Sequence, residues 1–245
     1  MKTSTIFLVC LMSAFSVYPS SSEASNALDT KGAKPVEGVL LNEKETTVAL
    51  KTIKDLQSGL NSMQARMYQK KTTPLLKEAV ETEGTLTLKK PNLLNMSLSK
   101  PKPMRMVGDG EVLWVYRPDS KEAEKHVLAS DLAASETIKF LSSAIAMSTQ
   151  ELSNRFDISA YSGSSILTLA MTPKSSIVAK YLAKINVSYR DGEAVPFRFE
   201  VISKNGSATI TEFREVVLNP QLNSDAFRFK LPPDARITNL ENEPQ

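Results

Sequence analysis

Histidine, cysteine and paired carboxylates are the side chains that most often do chemistry in proteins, and this chain has few of them. It contains one histidine, His126, and one cysteine, Cys10. A structural zinc site uses four Cys or His ligands, and hydrolysis by two carboxylates needs both in one place, whereas Asp and Glu are scattered along this sequence. His126 lies in a predicted strand, where a solvated or packed imidazole is expected. These residues favour a protein that is not an enzyme and that has no metal and no cofactor.

Two short motifs resemble catalytic loops without meeting their requirements. Tyr161-Ser-Gly-Ser-Ser is a hairpin turn and lacks the G-x-S-x-G order of a nucleophile elbow. Gly108-Asp109-Gly110 stands between two predicted strands, and a phosphate-binding loop would be followed by a helix. Neither motif predicts a reaction.

The most informative stretch runs from residue 84 to 118 and predicts an antiparallel meander. Successive extended runs are separated by turn residues at Pro91-Asn92, at Lys100 to Pro103 and at 108–110, and Pro118 ends the last run. The run Val112-Leu113-Trp114-Val115-Tyr116 is apolar on both faces. Such a strand must be covered on both faces, by protein or by an apolar ligand.

The remaining sequence predicts more strands and a few helical pieces. Apolar residues recur at three- and four-residue spacing from Glu43 to about residue 61, which indicates one amphipathic helix. Asp131 to Met147 suits one or two short amphipathic helices, and Phe227 to Leu231 is typical of a last strand. Asn205-Gly206 is the strongest local hairpin pattern. In total we expect about 10–11 antiparallel strands.

The first residues have the features of an export signal. Lys2 precedes an apolar run from Ile6 to Val17, which is shorter than the ~20 residues that span a bilayer. Ser22-Glu23-Ala24 fits a cleavage site, so we expect a signal peptide over residues 1–24, cleaved after Ala24. The alternative is a single uncleaved anchor. Residues 25–43 have the composition of a flexible N-terminal tether, and 44–240 are expected to form a single domain. The formal net charge of +3 is too small to indicate a nucleic acid partner.

Three motifs in order resemble one known family. The first is K-K-P-N-L-L-N-M followed by G-D-G-x-x-L-W-x-Y-x-P within 84–118, the second is L-T-L-A-M-T-P-K at 167–174, and the third is F-R-F-K-L-P-P-D at 227–234. Together they are similar to the LolA family of outer-membrane lipoprotein carriers, and the likeness extends from about Thr47 to Ile237.

The resemblance implies a fold and a function. The fold would be mainly β with an α lid: an incomplete antiparallel β-barrel covered by short helices around a hydrophobic cavity. The function would be that of a monomeric periplasmic carrier that shields the acyl chains of lipoproteins. Its implied partners are acylated lipoproteins, an inner-membrane lipoprotein-releasing ABC transporter and an outer-membrane acceptor. Two alternatives stay open, namely a periplasmic domain that senses lipids or lipoproteins, and a carrier of another lipid such as a phospholipid or glycolipid.

The residues expected to line the cavity are the apolar ones of the meander and of the helical stretch 131–147. They are Leu88, Met96, Leu98, Met106, Trp114, Ile138, Leu141 and Ile145. For Trp114 the alternative is that it packs on the opposite face, under the first helix.

Lys90 occupies the position before a proline where the family often has the arginine that holds the lid. Lys90 is therefore the expected lid latch, bonded to helix-terminal carbonyls of the stretch 131–147. It would be a weaker latch than arginine, because lysine lacks the planar guanidinium fork. The alternative is that Lys90 is a solvated neighbour of Lys89.

Overall fold

The computed structural model describes residues 36–142 and 149–238. The predicted signal peptide lies outside these residues, as does the first part of the predicted tether. The end of that tether belongs to the fold, because Val39 and Leu40 pair with Ser162 and Tyr161. Within the described ranges, no helix is both long and apolar enough to cross a membrane.

Across residues 36–142 and 149–238, thirteen strands form one sheet. The strands are β1 Val39–Leu40, β2 Ser62–Thr72, β3 Val80–Lys89, β4 Leu93–Lys100, β5 Met104–Gly108, β6 Val112–Arg117, β7 Glu122–Val127, β8 Phe156–Gly163, β9 Ile166–Pro173, β10 Leu182–Arg190, β11 Arg198–Ser203, β12 Ala208–Leu218 and β13 Arg236–Thr238. The helices are α1 Glu43–Leu56, α2 Leu132–Ser142 and α3 Thr149–Arg155. The sheet order is β1-β8-β9-β10-β11-β12-β2-β3-β4-β5-β6-β7-β13, and β13 joins β7 in parallel while the other neighbours are antiparallel.

The architecture confirms the predicted class, which is mainly β with few helices in an open antiparallel sheet. Among the described residues β1 and β13 stand at the two ends of the strand order and do not pair with each other. The meander from β3 to β7 and the hairpin at Asn205-Gly206 follow the prediction. The strand count exceeds the expected 10–11, because β1 and β13 are too short to show a periodic pattern.

One predicted strand is wrong. Residues Ser224–Phe227 form a short 3₁₀ turn, and 228–231 run on without joining the sheet. The aromatic alternation there has another cause. Phe227 is buried, and Phe229 stacks on Trp114 of β6 with the ring centroids 5.4 Å apart. The apolar periodicity therefore reflects packing of the segment across the sheet rather than pairing within it.

The sheet has an inner face, which carries Leu88, Met96 and Met106, and an outer face, which carries Trp114. Side chains alternate between faces along a strand, and directly paired residues share a face. Met96 pairs with Met106, and Met106 pairs with Val115. The inner face packs the main core together with α2, where Ala134 and Ile138 are buried.

The β6 strand is covered on both faces, as its apolar sequence requires. On the inner face, a Cβ atom added at the neighbouring Gly108 would lie 3.0 Å from Cδ1 of Ile138 and 3.7 Å from Cδ1 of Leu113. Ile138 of α2 therefore reaches the backbone of β5 beside β6. On the outer face, Phe229 covers Trp114 and contacts Tyr116. Helix α2 and the C-terminal segment thus exclude water from opposite sides of the same strand.

Candidate functional site

Helix α1 lies across the inner face at the end of the sheet formed by β8, β9 and β10, and it is loosely packed there. Asn42 caps the helix with Glu45 in a reciprocal capping box, so its start is well defined. All of α1 is described, and Ile53 is its one buried apolar residue. Val48 remains 63% exposed and Leu56 40% exposed. The helix therefore keeps part of its apolar face accessible beside the sheet.

An apolar groove of about 470 Å³ runs between α1 and strands β9 and β10. Charged residues border this first groove, among them Lys44 and Arg190. Its apolar walls are formed by Leu41, Val48, Ile53, Leu56, Leu167 and Tyr189. Burial raises the pKa of the Tyr189 phenol, so this side chain stays neutral. Ligand pockets in proteins typically measure about 300–1,000 Å³, so the groove has the size and polarity for an apolar ligand.

A second groove of about 440 Å³ lies on the other side of α1, against β8. Leu50 and Thr47 of the helix face Phe156 and Ile158 of the strand across it. Helix α1 therefore has open space along both flanks.

The predicted cavity residues lie together, but as packed core. Leu88, Met96, Leu98 and Met106 share the inner face and are between 0% and 6% exposed. Ile138 and Leu141 of α2 pack against the same core. None of them lines either groove. Ile145 lies outside the described residues. A role of these residues in binding lipid stays a prediction.

Trp114 does not point into the same space as Met106. It pairs with Lys125 on one side and with Val107 on the other, whereas Met106 pairs with Val115. Because neighbours in a strand face opposite ways, Trp114 is on the outer face. The alternative prediction, that Trp114 packs on the opposite face of the sheet, was correct. The first helix was expected to cover it there, but the segment around Phe229 does so instead.

Lys90 does bond to a helix-terminal carbonyl, but the helix is α1. Its Nζ donates to the main-chain oxygen of Gln57, at 3.2 Å. Gln57 directly follows the last residue of α1 and its own side-chain amide donates to the oxygen of Ala194, at 2.9 Å. Within the described residues, Lys90 is therefore linked to the helix beside the first groove, and residues 143–147 of the stretch 131–147 lie outside those residues.

A buried polar cluster holds the start of α2, and sequence reasoning missed it. Asp131 accepts a hydrogen bond from the backbone N–H of Ala134, at 2.9 Å, and its other oxygen lies 2.7 Å from Nδ1 of His126. Nε2 of His126 is 3.5 Å from a Glu124 oxygen, and Glu124 pairs with Arg117 at 2.7 Å. An Asp just before an apolar helical run is a typical N-cap, and that pattern could have identified Asp131.

Electrostatics tie this cluster together. Burial would lower the pKa of His126, but hydrogen bonds to Glu124 and Asp131 outweigh burial and raise it. The hydrogen bond from His126, together with Arg117, holds the pKa of Glu124 below its usual range. The cluster is thus an anchor for helix α2. In the described part of the chain, no group of three His, Cys, Asp or Glu side chains is placed to hold a metal ion.

Comparison with known proteins gives a consistent match. The family model described as outer membrane lipoprotein carrier protein LolA matches residues 58–230, which is more than half of the chain. An outer-membrane lipoprotein carrier protein of Pseudomonas paraeruginosa is 24% identical over 200 residues, covering 82% of this chain and 92% of that protein.

Solved structures are more distant. An uncharacterized conserved protein from Thermus thermophilus has a TM-score of 0.49 at 10% identity, covering 80% of this chain and 99% of that one. A LolA superfamily protein from Nitrosomonas europaea has a TM-score of 0.40 at 12% identity, covering 75% of this chain and 97% of that one.

Proposed function

Because the chain belongs to the LolA family of outer membrane lipoprotein carrier proteins, we propose that it is a periplasmic carrier. It shields the acyl chains of lipoproteins and moves them from the inner to the outer membrane. Its partners are then acylated lipoproteins, a lipoprotein-releasing ABC transporter in the inner membrane and an acceptor at the outer membrane. Export, with cleavage after Ala24, is part of the same proposal, and N-terminal sequencing of periplasmic material tests it.

The physical demand on such a carrier is large. Each methylene removed from water is worth ~0.8 kcal/mol, so a sixteen-carbon chain amounts to roughly 13 kcal/mol. An acylated protein therefore crosses an aqueous compartment only when its chains are covered. The cover also has to release the chains, so it must be apolar, roomy and able to open.

The observation that carries the proposal is the first groove beside α1. Its walls are apolar, its volume is about 470 Å³, and the helix that forms one wall has a single buried apolar residue, Ile53. Movement of a weakly packed helix costs few contacts. Helix α1 is therefore the element that we assign as the cover, and the groove and its neighbour against β8 are where acyl chains enter.

The test is binding of a triacylated lipopeptide, compared with the same peptide lacking acyl chains. The purified wild-type protein is expected to bind the acylated form selectively. Val48→Glu places a carboxylate on the apolar groove wall, where a charge must lose water beside an acyl chain, so binding is expected to weaken at least about tenfold. Val48 is exposed in the free protein, so folding should be preserved.

The matched control is Val217→Glu. Val217 is 51% exposed on β12, comparable with the 63% of Val48, and it lines neither groove. This variant should bind the lipopeptide like the wild type. Equal binding by a folded Val48→Glu protein would exclude the groove as the acyl site. If the wild-type protein binds neither peptide, the carrier function itself is wrong.

Mass spectrometry of material that copurifies from the periplasm identifies the cargo. A lipoprotein supports the proposal. A phospholipid or glycolipid in its place would assign the protein to transport of that lipid.

A further inference from the structure

Next to the turn 118–121 between β6 and β7, four further loops meet at one end of the sheet, at the opposite end of the strands from Lys90. They are 73–79 between β2 and β3, 100–103 at the turn from β4 to β5, 174–181 between β9 and β10, and 204–207 between β11 and β12. The antiparallel order places all four at the same strand ends. We call these four loops the rim.

Large apolar side chains project from the rim into solvent. Leu75 is 90% exposed, Leu76 50%, Ile177 60% and Tyr181 42%. Scattered single apolar residues are ordinary on a protein surface, but a group of them on neighbouring loops marks a contact site. No described part of the chain covers them.

Contacts along the rim show that the loops are neighbours. The backbone N–H of Lys204 donates to the oxygen of Tyr181, at 2.8 Å. A Cβ atom added at Gly206 would lie 3.2 Å from Cγ of Pro74, which precedes Leu75 and Leu76. Tyr181, the turn at Asn205-Gly206 and Leu75 therefore follow one another along one continuous edge of the molecule.

The charge of the rim is strongly positive. It has a single carboxylate, Glu78, and lysines at six positions, which are Lys77, Lys100, Lys102, Lys174, Lys180 and Lys204. The adjacent turn 118–121 adds the exposed Asp119 and Lys121, and Lys121 pairs with Asp234 at 2.7 Å. All six lysines are exposed. Lys100 pairs with Glu83 at 3.3 Å and Lys174 with Asp157 at 3.7 Å. Across 36–142 and 149–238, the other four lysines form no ion pair. The whole chain carries a net charge of only +3, so the lysines are concentrated here.

We infer that the rim docks on the surface of an anionic lipid bilayer. Exposed leucine, isoleucine and tyrosine side chains enter the boundary between head groups and acyl chains, and the surrounding lysines bind phosphate groups at the head-group level. Tyrosine is well suited to this interface because it has an apolar ring and a polar tip. Lysine can extend its ammonium along the interface while its methylenes stay in apolar surroundings.

The charge of the rim decides between a membrane and a protein partner. A protein surface would need a matching acidic patch, whereas an anionic bilayer supplies negative charge at every lateral position. Attraction of this kind acts over about one Debye length, ~8 Å at physiological ionic strength, and salt screens it beyond that distance. The rim is separate from both grooves except at Lys174, which borders the second groove. The inference does not depend on what the grooves bind.

Flotation with lipid vesicles tests the inference on the purified protein. The vesicles contain either phosphatidylcholine alone or phosphatidylcholine mixed with phosphatidylglycerol. The wild type is expected to float with the phosphatidylglycerol vesicles, to bind phosphatidylcholine vesicles at least tenfold less, and to be released by high salt. The double variant L75E/I177E and the double variant K102S/K180S are each expected to lose binding at least tenfold.

Matched controls use residues of the same type elsewhere. V217E/L218E changes two exposed apolar residues of β12, and K54S/K89S removes two exposed lysines that are outside the rim. Both controls should float like the wild type. If the controls lose binding as much as the rim variants, or if the wild type floats with neither vesicle, the inference is overturned. If the wild type does not bind vesicles and a rim variant instead loses binding to a membrane protein, the rim is a binding site for that protein. This result would also overturn the inference.

The lipopeptide assay distinguishes this result from failure of the proposed carrier function. L75E/I177E is expected to bind the acylated peptide like the wild type, because neither residue lines a groove. Loss of vesicle binding together with intact lipopeptide binding locates the bilayer contact at the rim alone.

Discussion

Lys90 donates a hydrogen bond from Nζ to the main-chain oxygen of Gln57, 3.2 Å away, and so joins the end of β3 to the C-terminus of α1. The carbonyls at the end of a helix lack partners within the helix and carry partial negative charge, so a lysine there is favourable. The backbone N–H of Lys90 also donates to the oxygen of Asn61. One residue thus fixes both the end of α1 and the chain that leaves it.

Replacing Lys90 with leucine should loosen α1 without unfolding the protein. A single hydrogen bond from a charged donor contributes roughly 1.5–3 kcal/mol, which is smaller than the stability of a domain of about 5–15 kcal/mol. We expect an unchanged circular dichroism spectrum and faster lipopeptide dissociation. Lys89→Leu is the control, because Lys89 is exposed next to Lys90 and is not bonded to Gln57. Unchanged dissociation from a folded Lys90→Leu protein would remove Lys90 from the control of α1.

The contact between Ile138 and Gly108 should appear as coupling between two mutations. Ile138 is 1% exposed, so Ile138→Ala is expected to lower the free energy of unfolding by about 2–4 kcal/mol. Gly108→Ala alone should also destabilise, because its new methyl group would lie 3.0 Å from Cδ1 of Ile138. In the double variant that methyl group enters the space left by the isoleucine.

The two single substitutions together should therefore lower the free energy of unfolding by about 1 kcal/mol more, when their effects are added, than the double variant does. Urea unfolding of the four proteins measures this coupling. Strictly additive effects would mean that α2 does not press on β5 at this point.

The meander was predictable because it is built from local patterns. Turn residues separate short runs from residue 84 to 118, and Leu86 and Leu88 alternate with polar residues, so strand positions follow from the sequence. The strand from Val112 to Tyr116 also predicted cover on both faces. Which elements provide that cover depends on contacts between residues more than 100 positions apart, such as Trp114 with Phe229, and no local pattern encodes them.

The candidate site was harder to predict for a related reason. Leu88, Met96 and Ile138 were expected to line a cavity, and apolar character does not distinguish a cavity wall from packed core. The groove beside α1 exists because Val48 and Leu56 of this amphipathic helix stay exposed. Their exposure depends on how far the helix lies from the sheet, and the sequence pattern does not encode that distance. Lys90 was correctly expected at a helix-terminal carbonyl, but the sequence offered two helical stretches for it to reach.

Trp114 should report on the C-terminal segment and not on the first groove. It is on the outer face and stacks on Phe229, so saturation with lipopeptide is expected to leave its fluorescence unchanged. Phe229→Ala should shift the emission to longer wavelength, since the indole becomes exposed to water. The same change should destabilise the fold by about 1–2 kcal/mol, from lost apolar contact and ring stacking.

The matched control is Phe197→Ala, which removes an aromatic ring that stacks with Arg190 far from Trp114. That variant should leave the emission spectrum as it is in the wild type. A strong response of Trp114 to lipopeptide in the wild type would contradict its assignment to the outer face.

The His126 cluster should make the anchoring of α2 depend on pH. His126 is 4% exposed between Glu124 and Asp131, with Arg117 paired to Glu124. The two carboxylates raise the pKa of His126 above its usual value. A raised pKa in the folded state means that protonation stabilises the fold. That stabilisation is complete below the unfolded value of about 6.5 and is lost as the pH rises through the folded value.

We therefore expect the free energy of urea unfolding to fall as the pH rises above about 6.5. Hydrogen exchange should locate the effect, because the N–H of Ala134 bonds to Asp131 and should lose protection over the same pH range. His126→Gln removes the titrating group and should flatten the dependence, whereas Lys125→Gln, one residue away and exposed, should retain it. If the His126→Gln protein loses stability with pH as steeply as the wild type, another group is responsible and His126 does not set the anchoring of α2.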